Sequence, residues 1–284
     1  MDILKLEIKN QTIRQLLESY HVGRKKIYEL FINKAITFNN ELINYDKKVE
    51  GIIDIDLSKV EKIDFIPNYE KLDIVYEDND ILIINKPAGI IIHPDSHEGI
   101  YTLCIIVAGY YKYNNINRCI RYVHRLDTET TGIILFTKHF LAQSMLDYDL
   151  QNDKVLRTYL ALCKGKITSG TINKAIGRER HNNKMICYNK GMEAVTHYKC
   201  LKTNEKISLA HIKLDTGRTH QIRVHFQSIN HPLLGDKLYG ENHRYINRVA
   251  LHSYSIKLIH PILKKEIEFY INPPKDMEEI INEI

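Results

Sequence analysis

The groups best placed to do chemistry lie mid-chain, in Tyr122-Val123-His124-Arg125-Leu126-Asp127-Thr128-Glu129-Thr130-Thr131-Gly132, which runs into Ile133-Ile134-Leu135-Phe136. A Thr-rich polar turn with a glycine, entering a β-branched and aromatic run, reads as a tight turn feeding a buried strand. Asp127 then stands just before a rigid element, with Arg125 two residues earlier. A carboxylate held on such an edge can act as a nucleophile or a base. The same pattern also fits a plain turn capped by Asp127 with Arg125 as a surface partner, because Asp is a common turn residue.

A second polar cluster follows Leu214-Asp215-Thr216-Gly217, as Arg218-Thr219-His220-Gln221-Ile222-Arg223-Val224-His225-Phe226. It reads as strand, glycine turn and helix. Ile222, Val224 and Phe226 cannot share one helix face, so both faces should be covered. His220 and His225 are five apart, not the four that stack on one face, and no Cys or carboxylate completes a ligand set. No metal is expected. Nor does the chain carry a phosphate loop, a dinucleotide fingerprint or a nucleophile elbow.

The 284 residues suit one large domain and a small one. A net charge of +5 permits a polyanionic partner without demanding one. Five scattered cysteines with no Cys-x-x-Cys suit reduced core thiols in a cytoplasmic protein. The opening Met1-Asp2-Ile3-Leu4-Lys5 lacks a signal pattern, and no apolar run is long enough to span a membrane.

The elements that must position these groups follow from periodicity. Thr12 caps a helix to Tyr20, with Ile13, Leu16 and Leu17 on one face. Arg24-Lys25-Lys26 opens a second helix striped by Ile27, Leu30 and Phe31. Strands are expected at 35–38 and 52–57, with a turn at Asn39-Asn40. Cations at a helix start oppose its dipole, which is more sensible if phosphates bind there. Residues 58–70 lack a period and read as a linker. Three strands are expected at 72–76, 81–84 and 90–94, with turns at 77–80 and Asn85-Lys86-Pro87-Ala88-Gly89. Lys86 reads as an exposed turn lysine or a phosphate contact. Helices are expected at 102–113 and 139–151, and strands at 155–163, 195–201 and 207–214. Residues 178–192 read as a basic polar loop, solvated or RNA-gripping.

His124-Arg125-Leu126-Asp127, Thr130-Thr131-Gly132, the aliphatic strand and Lys138 resemble the signature of the RluA-type pseudouridine synthases, which isomerise uridine in structured RNA. The usual wording has Ser before the glycine and Lys-Asp after the catalytic Asp. Here those places hold Thr131, Thr128 and Glu129. Further blocks resemble the family in order: Asn85 to Gly89, Arg157-Thr158-Tyr159-Leu160-Ala161, Gly217 to Phe226, His231 to Gly240, and Arg248 to Tyr254. Residues 12–57 resemble the small RNA-binding domain named after ribosomal protein S-four.

The resemblance implies an α+β fold: a mixed, mostly antiparallel central sheet with flanking helices. It implies an RNA-binding domain at 1–57, a linker at 58–70 and a catalytic domain at 71–284. Asp127 would be the essential carboxylate, Tyr159 would pack on the target base, and Arg223 would pair with Asp127. Arg125 would fill the space left by a flipped nucleotide. Arg24, Lys25, Lys26, Arg218 and His220 would contact RNA. The substrate would be large-subunit ribosomal RNA, with transfer RNA the nearer alternative, and a non-catalytic ribosome-assembly factor the reading from another class. The reaction loses and gains no group, so no cofactor is implied. The protein would be a monomer with no metal and no membrane partner.

Overall fold

The computed structural model describes residues 2–93, 101–179 and 184–284. The N-terminal part is built from β1 (Ile3–Thr12), α1 (Ile13–Ser19), α2 (Arg24–Ile32), β2 (Ile36–Phe38), β3 (Glu41–Ile43) and β4 (Lys48–Asp56). Its strands form an antiparallel sheet in the order β1-β4-β2-β3. Thr12 and Gln15 make a reciprocal capping box that starts α1. Asn39 and Asn40 both take left-handed φ, of 49° and 62°, which is what a two-residue hairpin loop requires. β1 and β3 were not foreseen. β1 alternates apolar and charged residues so that Leu6 and Ile8 reach the core.

The larger part contains β5 (Ile74–Glu77), β6 (Ile81–Lys86), α3 (Leu103–Tyr113), β7 (Arg121–Tyr122), β8 (Thr131–Thr137), α4 (Phe140–Gln151), β9 (Leu156–Lys164) and β10 (Gly170–Asn173). It continues with β11 (Ile176–Arg178), β12 (Met185–Cys187), β13 (Val195–Thr203), β14 (Ile207–Leu214), α5 (Gln221–Ser228), β15 (Leu251–Ile259), β16 (Glu266–Tyr270) and α6 (Lys275–Glu283). Ten strands make one sheet along the path β10-β13-β14-β9-β15-β8-β6-β5, with β16 beside β15 and β7 beside β8. β8 and β15 run parallel at its centre, whereas the other named pairs are antiparallel. The fold is α+β with a mixed, antiparallel-dominated sheet.

Every residue of β8 is buried, as its unbroken apolar run requires of a central strand. Gly132 is obligatory there: its φ is +103°, and an added Cβ would lie 2.2 Å from the Ser253 carbonyl oxygen of β15. α3 and α5 pack with the sheet in one apolar cluster that includes Ile106, Phe136, Tyr159, Ile222 and Phe226.

Two expectations are corrected. The strand expected at 90–94 is, over the described residues, a single bridge from Ile91 to Thr102. Part of the basic loop expected at 178–192, residues 180–183, lies outside the described residues; the rest includes the hairpin β11–β12. Residues 58–70, read as a linker, pack against the larger part. Glu61 is buried against Arg121, 2.6 Å away, and accepts the backbone N–H of Phe140. The Asn68 carbonyl approaches α3 so closely that an added Cβ on Gly109 would lie 1.8 Å from it. The N-terminal core also takes in Phe140 and Leu141 of α4, so the two parts share buried apolar surface.

Candidate active site

Asp127 sits in the turn between β7 and β8. The turn is closed by the Thr130 N–H, which donates to the Asp127 carbonyl at 3.1 Å. It is held from beneath by Lys86, which corrects the expectation of an exposed lysine. Lys86 is fully buried at the end of β6. Its ammonium donates to the carbonyls of Pro87, Ile90 and Thr128 at 2.9, 2.9 and 3.0 Å, using all three protons on backbone. Burial pulls its pKa down to about 8, against the raising effect of Asp127. At neutral pH it remains mostly charged, one residue from the carboxylate it supports.

The Asp127 side chain is 26 % exposed. Its Oδ2 lies 3.3 Å from Arg223 Nη1 and 3.9 Å from His220 Nε2. Arg223 is clamped from behind by Asp236, whose carboxylate is fully buried. Arg223 Nε donates to Oδ2 at 2.8 Å and Nη2 to Oδ1 at 2.9 Å, the planar fork that arginine offers a carboxylate. The Tyr239 ring lies over the guanidinium, 5.1 Å from centroid to Cζ. Burial opposes the Arg223 charge, but Asp236 and then Asp127 more than restore it. Asp236 was not foreseen as a site residue.

α5 explains the order of its polar residues. Gln221 and His225, four apart, face β13: Gln221 Nε2 donates to the Val195 carbonyl at 2.9 Å, and His225 Nδ1 meets Thr196 Oγ1 at 2.8 Å. His220 and Arg223, three apart, face Asp127. Both helix faces are covered, as the apolar pattern required, and Gln221 through Phe226 are all buried.

Tyr159 is 4 % exposed on β9. Burial raises its phenol pKa; Arg157 lowers it and Asp127 raises it. Arg157, two residues earlier on the same strand face, lies against Gly217, and its Nε is buried without a hydrogen-bond partner. Arg125 is exposed. His124 is buried and pushed down to about 3, so it stays neutral and takes no part in acid–base chemistry near pH 7. Arg218 is tied through Nε to the Glu193 carbonyl at 2.9 Å. Arg24 and Lys25 are exposed on α2, far along the chain from Asp127. Lys26 departs from the expected RNA-facing cluster. Its ammonium is turned inward to Glu29 and the Val60 carbonyl, both at 3.1 Å, and over the Phe140 ring. It caps the contact between the two parts of the chain.

Among the described residues, Asp78, Asp80 and His260 offer three possible metal-ligand atoms within 4.8 Å. Their hydrogen bonds account for them without an ion. His260 Nδ1 accepts the N–H groups of Ile262 and Leu263, which places the proton on Nε2, donated to Asp78 at 2.8 Å. His139 is fixed in the same tautomer: Nδ1 accepts the Ala142 N–H and Nε2 donates to Asp80 at 2.8 Å.

A central mixed sheet carries Asp127 on the turn entering its middle strand, opposite the clamped Arg223, and known proteins resemble this chain in sequence and fold. The family model described as RNA pseudouridylate synthase matches residues 80–228, and that of the RluD ribosomal pseudouridine synthase N-terminal domain matches residues 3–51. The chain is 42 % identical over 257 residues to the "Uncharacterized RNA pseudouridine synthase YhcT" of Bacillus subtilis, covering 89 % of this chain and 84 % of that one. It is 36 % identical to "Ribosomal large subunit pseudouridine synthase D" of Yersinia pestis, over 96 % of this chain and 89 % of that one. The solved structure of human RNA Pseudouridylate Synthase Domain Containing 4 shares the fold at TM-score 0.62 and 21 % identity, over 74 % of this chain and 91 % of that one. This chain belongs to the RNA pseudouridylate synthase family. It is an isomerase acting on RNA. Among the described residues, no helix is long and apolar enough to cross a membrane.

Proposed function

We propose that the chain converts specific uridines of large-subunit ribosomal RNA to pseudouridine, with Asp127 as the essential carboxylate. One observation carries the site: a part-exposed Asp127 faces Arg223, and the rest of that guanidinium is committed to buried Asp236. The choice of RNA is supported by the relatives from Yersinia pestis and Escherichia coli named for the ribosomal large subunit, each matched over 96 % of this chain.

The reaction breaks the bond from ribose C1′ to uracil N1, turns the base and rejoins it through C5; the C5 proton leaves and the freed N1 takes one up, so the product is an isomer. Arg223 keeps Asp127 ionised and aimed. Tyr159 supplies a flat apolar wall for the base, and its raised pKa keeps the phenol protonated until it is asked to relay a proton. Arg125, exposed beside the turn, enters the gap left by the flipped nucleotide, offsetting an unstacking cost of a few kcal/mol, roughly. Arg24 and Lys25 of the domain at 1–57, and Arg218 at the mouth of the site, face the RNA. Residues 58–70 join that domain to the catalytic domain at 71–284. The enzyme works as a cytoplasmic monomer without metal or cofactor.

The test is pseudouridine mapping of total RNA from cells carrying the wild-type gene or an Asp127→Asn copy. Sites lost from large-subunit rRNA support the proposal. Sites lost only from tRNA overturn the substrate and keep the chemistry. An unchanged map overturns the catalytic reading.

A further inference from the structure

His220 stands out on three independent grounds. Its backbone is left-handed, φ +56°, at the N-cap of α5, where a glycine would be unstrained. It makes no side-chain capping bond that would explain its choice. A non-glycine residue in that region is held there by its surroundings, and such residues cluster where geometry matters. Its ring is suspended between two partners: Nδ1 lies 3.0 Å from the Tyr239 hydroxyl, and Nε2 lies 3.9 Å from Asp127 Oδ2.

The hydrogen bonds decide which nitrogen carries the proton. The Tyr239 oxygen already accepts the Met185 N–H of β12 at 3.0 Å. Its one proton is therefore free to be donated to His220 Nδ1, which makes Nδ1 the acceptor and leaves the ring proton on Nε2. The far end agrees. A bare Nε2 lone pair aimed at a carboxylate would be repelled, whereas an Nε2–H is attracted. Burial depresses the imidazole pKa below 6.5 against the pull of Asp127; Arg223 adds to the fall and Asp236 opposes it. Among the described residues, the Tyr239 phenol and Lys184, whose ammonium sits over the Tyr239 ring, also stand nearby.

We propose that His220 is a positioning residue for the reaction: as a neutral imidazole oriented by Tyr239, it presents Nε2–H to the Asp127 carboxylate. The inference rests on the reading of Asp127 as the essential carboxylate. At 3.9 Å the contact is open, and catalytic hydrogen bonds commonly tighten only when substrate is in place. The neutral form matters. An imidazolium would put a second full cation beside a carboxylate that already faces Arg223, and would pin its electrons when they are needed. The chain Met185–Tyr239–His220–Asp127 also ties the β11–β12 hairpin to the carboxylate, so the seating of that hairpin is felt at the site.

Two measurements test this on the full chain. In protein labelled with ¹⁵N-histidine, the His220 ring, assigned by its absence in His220→Gln, should show the Nε2–H tautomer near pH 7.5. Tyr239→Phe should mix the tautomers. A charged ring or an Nδ1–H tautomer in the wild type overturns the inference. In single turnovers on uridine-tritiated RNA from pH 5 to 9, His220→Phe should lose about tenfold to a hundredfold in rate at saturating RNA, the scale of a misplaced reacting group. RNA affinity should be unchanged. His220→Gln, whose side-chain amide reaches the Nε2 position, should recover most of that rate and lack the wild type's fall at acid pH. Loss of affinity with rate intact would make His220 an RNA contact only and overturn the inference. Turnover by Asp127→Asn sinks the carboxylate reading whatever His220 does; a dead Asp127→Asn beside an unimpaired His220→Phe sinks this inference alone.

Discussion

Two carboxylate clusters in this chain are built from the same residue types and finished differently. Asp78 is saturated: Oδ1 accepts the N–H groups of Asp80 and Ile81, and Oδ2 accepts the Tyr76 hydroxyl and His260 Nε2, each at 2.8 Å. Asp236 likewise has four donors, two from Arg223 and two from the Leu238 and Tyr239 backbone. Among the described residues, Asp127 has Arg223 at 3.3 Å and, in a more open contact, His220 at 3.9 Å. A carboxylate offers about four acceptor positions. Those of Asp78 and Asp236 are spent on the fold, while most of Asp127's remain for a substrate. The presence of His, Asp and Tyr together does not mark the reactive group here; the hydrogen bonds left unmade among the described residues do.

The largest effect that could break this contrast is expected at Asp236. In Asp236→Ala the Arg223 guanidinium is left buried with only one long partner. Breaking a buried pair from one side costs about 3–5 kcal/mol. Thermal unfolding should show that loss, and turnover should fall on the order of a hundredfold in the protein that remains folded, since Asp127 loses its aim. A variant with wild-type turnover would mean that Arg223 is not what orients the carboxylate.

Next is Lys86→Met, which keeps length and removes three hydrogen bonds. Leaving the Pro87 and Ile90 carbonyls without a donor, and Thr128 with only the Gly89 N–H, should cost about 2 kcal/mol or more, read by chemical denaturation. Activity should fall with it, because the Thr128 carbonyl anchors the turn that carries Asp127. Full activity in the folded fraction would show that the turn holds Asp127 unaided.

The saturated cluster should behave in the opposite way. His260→Ala should cost about 2 kcal/mol by leaving Asp78 and two backbone N–H groups underbonded, with turnover of the folded protein unchanged. Its pH signature has a definite sign. Burial acts to raise the Asp78 pKa, but the backbone N–H groups of Ile81 and Asp80, then Tyr76 and His260, bring it below its ordinary 3.8. The stabilisation is therefore complete above that ordinary value and drains as pH falls through the lower folded value. Acid unfolding of Asp78→Asn should lack this component. An identical acid midpoint would show that the cluster contributes nothing to the pH dependence.

The same contrast explains what was legible in the sequence. Helices α1 to α5 were visible because caps and apolar stripes are local: Thr12, Thr102 and His139 each accept a backbone N–H at a helix start. The turn holding Asp127 and the strand after it were visible for the same reason. Lys86, Asp236 and the inward-turned Lys26 were not read correctly. Each has a partner in another segment of the chain, Thr128 for Lys86, Arg223 for Asp236 and Val60 for Lys26, and nothing in a lysine's neighbours says that carbonyls 1, 4 and 42 residues away will together take its protons. The short strands β3, β7 and β11 carry too few residues to show a period. The docking of residues 58–70 against α3 depends on Gly109, whose missing side chain has meaning only once Asn68 lies over it.

The smallest effect belongs to the cations left free around the unsaturated carboxylate. Arg125 is exposed and holds no structural bond among the described residues, so Arg125→Ala should leave the melting temperature within about a degree, as surface substitutions away from such features do. Its effect should appear only with RNA. If Arg125 enters the gap of a flipped nucleotide, turnover at saturating RNA falls several-fold, because flipping becomes harder after binding. If it merely meets a phosphate, affinity weakens and the slope of log K against log salt shrinks by about 0.7. The two readings separate on one titration and one single-turnover series. Only the first extends the contrast, since it makes an unspent arginine, like the unspent Asp127, a group kept in reserve for the displaced base.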